Sequence, residues 1–269
     1  AGVFGMKTPK DAVDMQNYIK AEGVSSAVVI GAGLIGMECA EAFANWGLDV
    51  TIIEMQGSIF PQVLDPEMGA VFQNYLEGED LNFMLDTKVE KILVNEEGKV
   101  SGVQTNKGDV EAQLVLVAVG VRPCVKLAVD AGLEVDKAII INDHCQTSDP
   151  DIYAAGDCVM TTNLISGQRV YAPMGSTANR QGRVIGNNVT GGDDTHKGVL
   201  NTAVCKMFDW SLGATGLSER VAKQLGYDTV TCIVPGPDIT HFMPGKKLIM
   251  TRLLADRKTR KILGVQIVG

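Results

Sequence analysis

The stretch from Ser25 to Glu54 constrains this chain more than any other. Ala27-Val28-Val29-Ile30 is an apolar, mostly β-branched run, long enough for a buried parallel strand and too short for a helix. Gly31, Gly33 and Gly36 follow at once in the spacing G-x-G-x-x-G. From Leu34 the period becomes helical, with Leu34, Ile35, Cys39, Ala42 and Phe43 expected on the inner side and an end near Gly47. Residues 50–53 predict a second strand, which Glu54 closes. In such a unit the first glycine permits the tight turn, the second lets a pyrophosphate reach the backbone, and the third lets helix and strand pack closely. The helix start adds free N–H groups and the positive end of a dipole. Glycine turns alone produce many matches to this spacing, but here strand, helix and an acid 18 residues past Gly36 all fall into place. The reading is a dinucleotide site built from Gly31, Gly33, Leu34, Ile35, Gly36 and Glu54.

Glu54 also speaks to nucleotide choice. Its carboxylate can accept hydrogen bonds from both adenosine ribose hydroxyls, whereas a 2′-phosphate would meet a like charge. Met55 to Phe60 contain no cation, so NADH is the expected partner rather than NADPH.

The remaining totals narrow the class. A chain of 269 residues with 45% hydrophobic content can bury a full core and form two or more domains. With 24 basic against 32 acidic residues, a net charge of −8 argues against a nucleic-acid surface. The six cysteines (Cys39, Cys124, Cys145, Cys158, Cys205, Cys232) form no C-x-x-C pair and no metal-ligand spacing, which reads as reduced thiols in a cytoplasmic protein without a metal. No apolar run approaches the roughly 18 residues of a membrane span, and no signal peptide is visible.

Along the rest of the chain, Thr8-Pro9 predicts a helix start, with the helix running to about residue 21. Asp65 is expected to cap a second helix over 66–76. Strands are expected at 81–85, 88–94, 99–104 and 114–119, and a second domain near Val121. In that domain 138–141 and 151–157 read as strands, the latter ending on Asp157, and 176–189 as a helix. A carboxylate past a strand end lies where α/β sheets bind ligands. A Gly-Asp pair is also an ordinary turn, and these residues alone leave both readings open. From about Lys197 the pattern is four antiparallel strands (203–208, 229–234, 248–254, 262–268) around one helix at 218–225. The apolar opening without Met, and a last strand cut at Gly269 with nothing to protect its edge, predict a longer native polypeptide.

Five ordered motifs, GAGLIGMECAEAF, LVLVAVGVRPC, TSDPDIYAAGDC, STANRQGR and KMFDWSLGATGLSE, cover nearly the whole chain. Together they resemble the pyridine nucleotide–disulfide oxidoreductases, most closely the branch of NADH oxidase, coenzyme A-disulfide reductase and polysulfide reductase. The resemblance implies an α/β fold in which a Rossmann-like NAD(H) domain is inserted in an FAD domain and followed by an α+β dimerisation domain. On that plan residues 1–7 are the connection from a first FAD segment, 8–120 the NAD(H) domain, 121–192 the second part of the FAD domain, and 193–269 the start of the dimerisation domain. It further implies FAD contacts from Gly156, Asp157, Met174, Gly175, Ser176 and Thr177, and a nicotinamide border at Gly120. Glu38 is placed near the flavin–nicotinamide contact, although it is equally a favourable first-turn carboxylate.

The implied activity is hydride transfer from NADH to FAD, then on to a small-molecule acceptor: a disulfide, persulfide, polysulfide or oxygen. The protein is implied to be a homodimer. The family's redox cysteine has no counterpart among the six here and is expected upstream. Three departures stand out. Leu34 replaces a frequent aromatic, Cys124 replaces an Asn and reads as a small buried substitute, and His241 stands near the place of a tyrosine pair and reads as a surface histidine. A single-Rossmann NAD dehydrogenase, and an NAD(H)-binding or dimerising module without turnover, are the rival readings; the first leaves TSDPDIYAAGDC unexplained.

Overall fold

The computed structural model describes residues 1–269. The chain runs β1 (Val3–Phe4), α1 (Pro9–Glu22), β2 (Ser26–Ile30), α2 (Leu34–Asn45), β3 (Asp49–Ile53), α3 (Pro66–Glu77) and β4 (Leu81–Met84). An antiparallel meander follows, β5 (Val89–Val94), β6 (Val100–Thr105) and β7 (Gly108–Glu111), and then β8 (Leu114–Val117). The parallel strands form one five-stranded sheet in the order β1-β8-β2-β3-β4. The apolar opening is thereby accounted for: Val3 and Phe4 pair with Val115 and Leu116 at the sheet's edge.

Why the strands read as continuous apolar runs is clear from the two faces. Side chains alternate along a strand, so Ala27, Val29, Val50, Ile52, Leu114 and Leu116 face one core with α1, α2 and α3. Val28, Ile53 and Val115 face the other, where Val100 and Val103 of the meander cover them. Within α2 the buried residues are Gly36, Met37, Cys39, Ala40 and Phe43. Ile35 and Ala42, expected inside, point outward, because the helix is turned to set Gly36 against the strand.

The middle of the chain departs most from expectation. After α4 (Lys126–Asp130) and β9 (Ile139–Ile140), residues 151–157 do not form a strand. Tyr153 makes an isolated bridge to Gln146, and Gly156–Cys158 is a 3-10 turn that precedes β10 (Val159–Thr162). Gly156, at φ +81°, breaks the extended run that the apolar residues suggested. β10 pairs with β9 and with β11 (Arg169–Tyr171), and α5 (Gly175–Asn188) follows.

The last unit holds β12 (Ala203–Met207), β13 (Trp210–Gly216), α6 (Glu219–Gln224), β14 (Thr229–Pro237), β15 (Leu248–Asp256) and β16 (Ile262–Val268). Its antiparallel order is β12-β13-β16-β15-β14, one strand more than the sequence pattern suggested. The final strand is therefore central rather than an open edge, and Gly269 pairs through its backbone with Ser211. This sheet packs on the helical side of the first, with Cys205, Met207, Leu212 and Val268 in the same core as α2 and α3. Tyr75 stacks on Trp210 at 4.4 Å between ring centres.

Asp65 precedes α3 as expected, yet its carboxylate does not cap that helix. It is taken by the buried guanidinium of Arg252, by Gln266 Nε2 at 2.8 Å and by the Glu219 N–H at 3.1 Å. A buried cation outcompetes the helix's own N–H groups for it.

Candidate functional site: a glycine-rich nucleotide cradle and a second ligand loop

The three glycines of the motif have three different surroundings. Gly31 sits at φ +105°, and a Cβ there would lie 2.5 Å from the Ala118 carbonyl oxygen. A Cβ on Gly36 would strike the carbonyl oxygen of Gly31. Gly33 faces open space, so its missing side chain leaves room for something outside the chain.

The loop is tied down from several sides. Gly31 N–H donates to Ile53 O at 2.8 Å, and Phe60 N–H donates to Ala32 O at 2.8 Å. Ala32 N–H donates to Glu54 Oε2 at 2.9 Å, while Gln56 N–H donates to Glu54 Oε1 at 2.8 Å. Glu54 is buried, at 8% exposure. The end of β3 is thus bound to the glycine loop by the acid that the spacing singled out. Each carboxylate oxygen retains a second lone pair. The N–H groups of Leu34, Ile35 and Gly36 have no acceptor in the chain, and Gly33, the N-cap, supplies no side chain to satisfy them. A rigid turn, an open approach and free N–H donors are together the features that suit an anionic ligand. Gly120, exposed at φ +102°, lies just past the Ala118 turn that abuts Gly31.

A second set gathers 120 residues further on. Gly156 N–H donates to Gln181 Oε1 at 2.8 Å, which fastens the Gly156–Cys158 turn to α5. Gln181 is fully buried, and its Nε2 has no partner. Asp157 is exposed and makes no hydrogen bond of its own. At the start of α5, the N–H groups of Gly175, Ser176 and Thr177 lack acceptors, and Met174 is the N-cap without a capping side chain. No hydrogen bond links this set to the first.

Glu38 points outward from α2 and accepts from the Cys205 thiol at 3.6 Å. Burial, and next the Glu38 charge, push that thiol up to about 12. Burial likewise lifts Cys39 and Cys145 to about 11. Such thiols stay protonated at neutral pH and are poor nucleophiles. Cys124 is exposed, contrary to the expected buried substitute, because the coil before α4 leaves it on an open side. His241 is exposed in the turn between β14 and β15. Phe60, Gln56 and Gln181 hold the two loops in place without any mark in the sequence. Phe60 is a buried non-glycine residue at φ +47°, for which no local signal exists.

These elements define a Rossmann-like α/β protein with an antiparallel five-stranded unit attached. Comparison with known families makes this specific. Residues 2–182 match the profile of the pyridine nucleotide-disulphide oxidoreductases, and residues 202–269 match that family's dimerisation domain. The chain belongs to this family. It is 38% identical over its full length to an NADH oxidase of Methanocaldococcus jannaschii, of which it covers 59%. It matches the structure of an NAD-dependent persulfide reductase from A. fulgidus with a TM-score of 0.96 and 40% identity, covering all of this chain and 50% of that one. An engineered water-forming NADPH oxidase, derived from the Lactobacillus brevis NADH oxidase and bound to NADPH, matches at a TM-score of 0.91 and 27% identity, covering 99% of this chain and 59% of that one. The chain thus spans about three fifths of the curated relative. No helix is long and apolar enough to cross a membrane.

Proposed function

We propose that this chain carries the nucleotide-handling part of an FAD-dependent NADH oxidoreductase that works as a homodimer. The observation that carries the reading is the cradle itself: Glu54 bound to the Ala32 N–H, Gly33 facing open space, and the free N–H groups of Leu34, Ile35 and Gly36. NADH is held there with its pyrophosphate over Gly33 and its ribose hydroxyls at Glu54. Gly120 borders the nicotinamide half, with Glu38 nearby. Residues 8–120 form the NAD(H) domain, joined by 1–7 to an FAD domain to which 121–192 contribute, and 193–269 belong to the dimerisation domain.

The second set fits a flavin. Asp157 is free to accept from the ribityl hydroxyls, and Gly156, Met174, Gly175, Ser176 and Thr177 line the same turn and helix start, where the first N–H groups of α5 have no acceptor of their own. Held by these residues, FAD would supply the hydride acceptor for NADH and the route for onward electron transfer. The acceptor is a disulfide, persulfide, polysulfide or oxygen, reached through a cysteine other than the six here; burial raises the thiols of Cys39, Cys145 and Cys205 well above the usual range. An absorbance scan of the purified chain, with and without added FAD and then NADH, tests the reading. Bound flavin bands that bleach on NADH addition support it; NADH binding with no flavin uptake would leave only the nucleotide half standing.

Asp157→Ala is expected to weaken FAD retention by roughly tenfold or more while NADH affinity stays within about twofold. Equilibrium dialysis of each ligand separates the two. Loss of NADH binding with flavin intact would assign Asp157 to the wrong ligand.

Nucleotide choice follows from Glu54. A like-charge contact with a 2′-phosphate costs on the order of 1–3 kcal/mol, so NADH is preferred over NADPH by roughly 10- to 100-fold. The engineered NADPH oxidase supports this reading. Its substitutions fall on a glycine, an aspartate 18 positions later, the two residues after that, and a proline seven past the aspartate. Gly36, Glu54, Met55, Gln56 and Pro61 have the same spacing here, and the changes corresponding to Met55 and Pro61 introduce arginine. Glu54→Arg is expected to raise the NADPH-to-NADH affinity ratio at least about tenfold. It also removes the acceptor for Ala32 and Gln56, so NADH affinity itself should fall. Titration of the unaltered chain and the variant with both nucleotides, followed by nicotinamide fluorescence, reads the ratio directly; an unchanged ratio would remove Glu54 from the ribose site.

A further inference from the structure

A cavity of about 210 Å³ opens beside the loop that follows Glu54. Gln56, Gly57, Ser58 and Pro61 form part of its wall, and Ser218 and Arg220, at the start of α6, form another part. Gln56 and Pro61 are two of the positions matched above to the engineered NADPH oxidase. The cavity therefore adjoins two positions whose counterparts were changed in the oxidase bound to NADPH, one of them to arginine.

The charges around it are nearly all committed. Asp65 is neutralised by Arg252, and Glu219 by Arg252 at 2.5 Å and Lys223 at 2.7 Å. Glu67 stands 4.0 Å from the same guanidinium. Glu54 spends one lone pair of each oxygen on the loop. Asp86 lies against Gly57. Arg220 alone is a cation without an assigned partner: it is exposed and makes neither a side-chain hydrogen bond nor an ion pair. It stands 166 residues after Glu54, in a different sheet unit, so the cation-free stretch from Met55 to Phe60 gives no sign of it.

Resting on the nucleotide reading above, we propose that Arg220 is the counter-charge for a 2′-phosphate on the adenosine ribose, a specificity-determining residue that holds the NADH preference near the lower end of what Glu54 alone imposes. The guanidinium approaches from the α6 side of the loop. NADPH is thereby bound less weakly than a carboxylate-ended strand with no nearby cation would allow. NADH has no group for it to meet, so Arg220 contributes nothing to NADH affinity.

The test titrates the 269-residue chain, Arg220→Gln and Arg220→Lys with NADH, NADPH, AMP and adenosine 2′,5′-bisphosphate by calorimetry. The last two probes carry only the adenosine end, without and with the 2′-phosphate. Arg220→Gln is expected to weaken NADPH and the bisphosphate by roughly 3- to 10-fold, a size set by the pair's exposure to solvent, and to leave NADH and AMP within about twofold. Arg220→Lys should retain most of the 2′-phosphate affinity. NADH binding with an unchanged NADPH-to-NADH ratio in Arg220→Gln overturns this inference alone. Failure of the unaltered chain to bind NADH overturns the site reading and this inference together.

Discussion

Arg252→Ala is expected to destabilise the chain by about 3–5 kcal/mol. Arg252 is 2% exposed and lies on β15, between the antiparallel unit and the first helix layer. Its guanidinium binds Asp65, which is itself almost wholly buried, and reaches Glu219 at 2.5 Å. Removing it leaves the Asp65 carboxylate in a dry setting with only Gln266 Nε2 and the Glu219 N–H to hold it. That uncompensated charge, rather than the lost attraction, is the larger cost. Glu219 suffers less, because Lys223 still reaches it and it is partly solvated. Arg252→Met combined with Asp65→Leu should therefore recover much of the loss, since neither charge is then buried alone. Urea unfolding of the single and double variants measures both values. A single-variant loss below about 1 kcal/mol would show that water reaches Asp65 readily, and the cluster would not be a clamp between the two units.

The same cluster shows what a linear sequence conveys and what it withholds. The alternation in LIMTRLLAD puts Arg252 on the same face as Leu254 and Asp256, and all three are buried. Period alone therefore marks Arg252 as a buried cation, yet nothing local names its partner, 187 positions away. Asp65 misleads for the matching reason. Before Pro66 it satisfies every local rule for a cap, and a tertiary partner overrides the rule. By contrast, β2, α2 and β3 are legible because each signal in them is short-range: a β-branched run, three glycines, a change of period. The region 151–162 is not. Its apolar residues suggest one strand, but Gly156 turns the backbone, so the strand begins only at Val159.

The candidate site divides along the same line. The G-x-G-x-x-G loop and Glu54 follow from spacing, because one βαβ unit contains them all. Asp157 and the start of α5 owe their functional reading to family resemblance; the residues alone leave a ligand contact and a simple turn equally open. The structure adds the buried Gln181 amide and the unsatisfied donors of Gly175 to Thr177, which are observations of another kind. Arg220 is invisible locally, since its place beside Gln56 and Pro61 depends on how the antiparallel unit docks.

Gly31→Ala and Gly33→Asp are expected to fail in opposite ways, although they lie two residues apart in one motif. Gly31 holds φ +105°, and a Cβ would sit 2.5 Å from the Ala118 carbonyl oxygen, backbone against backbone. Neither the strained dihedral nor the clash can be relieved without moving β8 away from β2. A loss of about 2–4 kcal/mol in unfolding free energy is expected, with nucleotide affinity following the fold downward. Gly33 is different. Its φ of −82° and ψ of −179° are open to any residue, and a side chain there meets nothing in the chain. Aspartate is, besides, a favourable N-cap for α2, so stability should hold within about 0.5 kcal/mol or rise. The cost falls on the ligand: the new carboxylate occupies the pyrophosphate approach and takes up the free N–H groups of the first turn. Steric exclusion and repulsion by two phosphate charges together should weaken NADH by at least about 100-fold. Thermal unfolding and NADH titration of the two variants, run side by side, distinguish a broken fold from a blocked site. If Gly33→Asp kept NADH affinity within about threefold of the unaltered chain, the pyrophosphate would not lie over Gly33. The cradle would then have to be sought elsewhere on the edge of the parallel sheet.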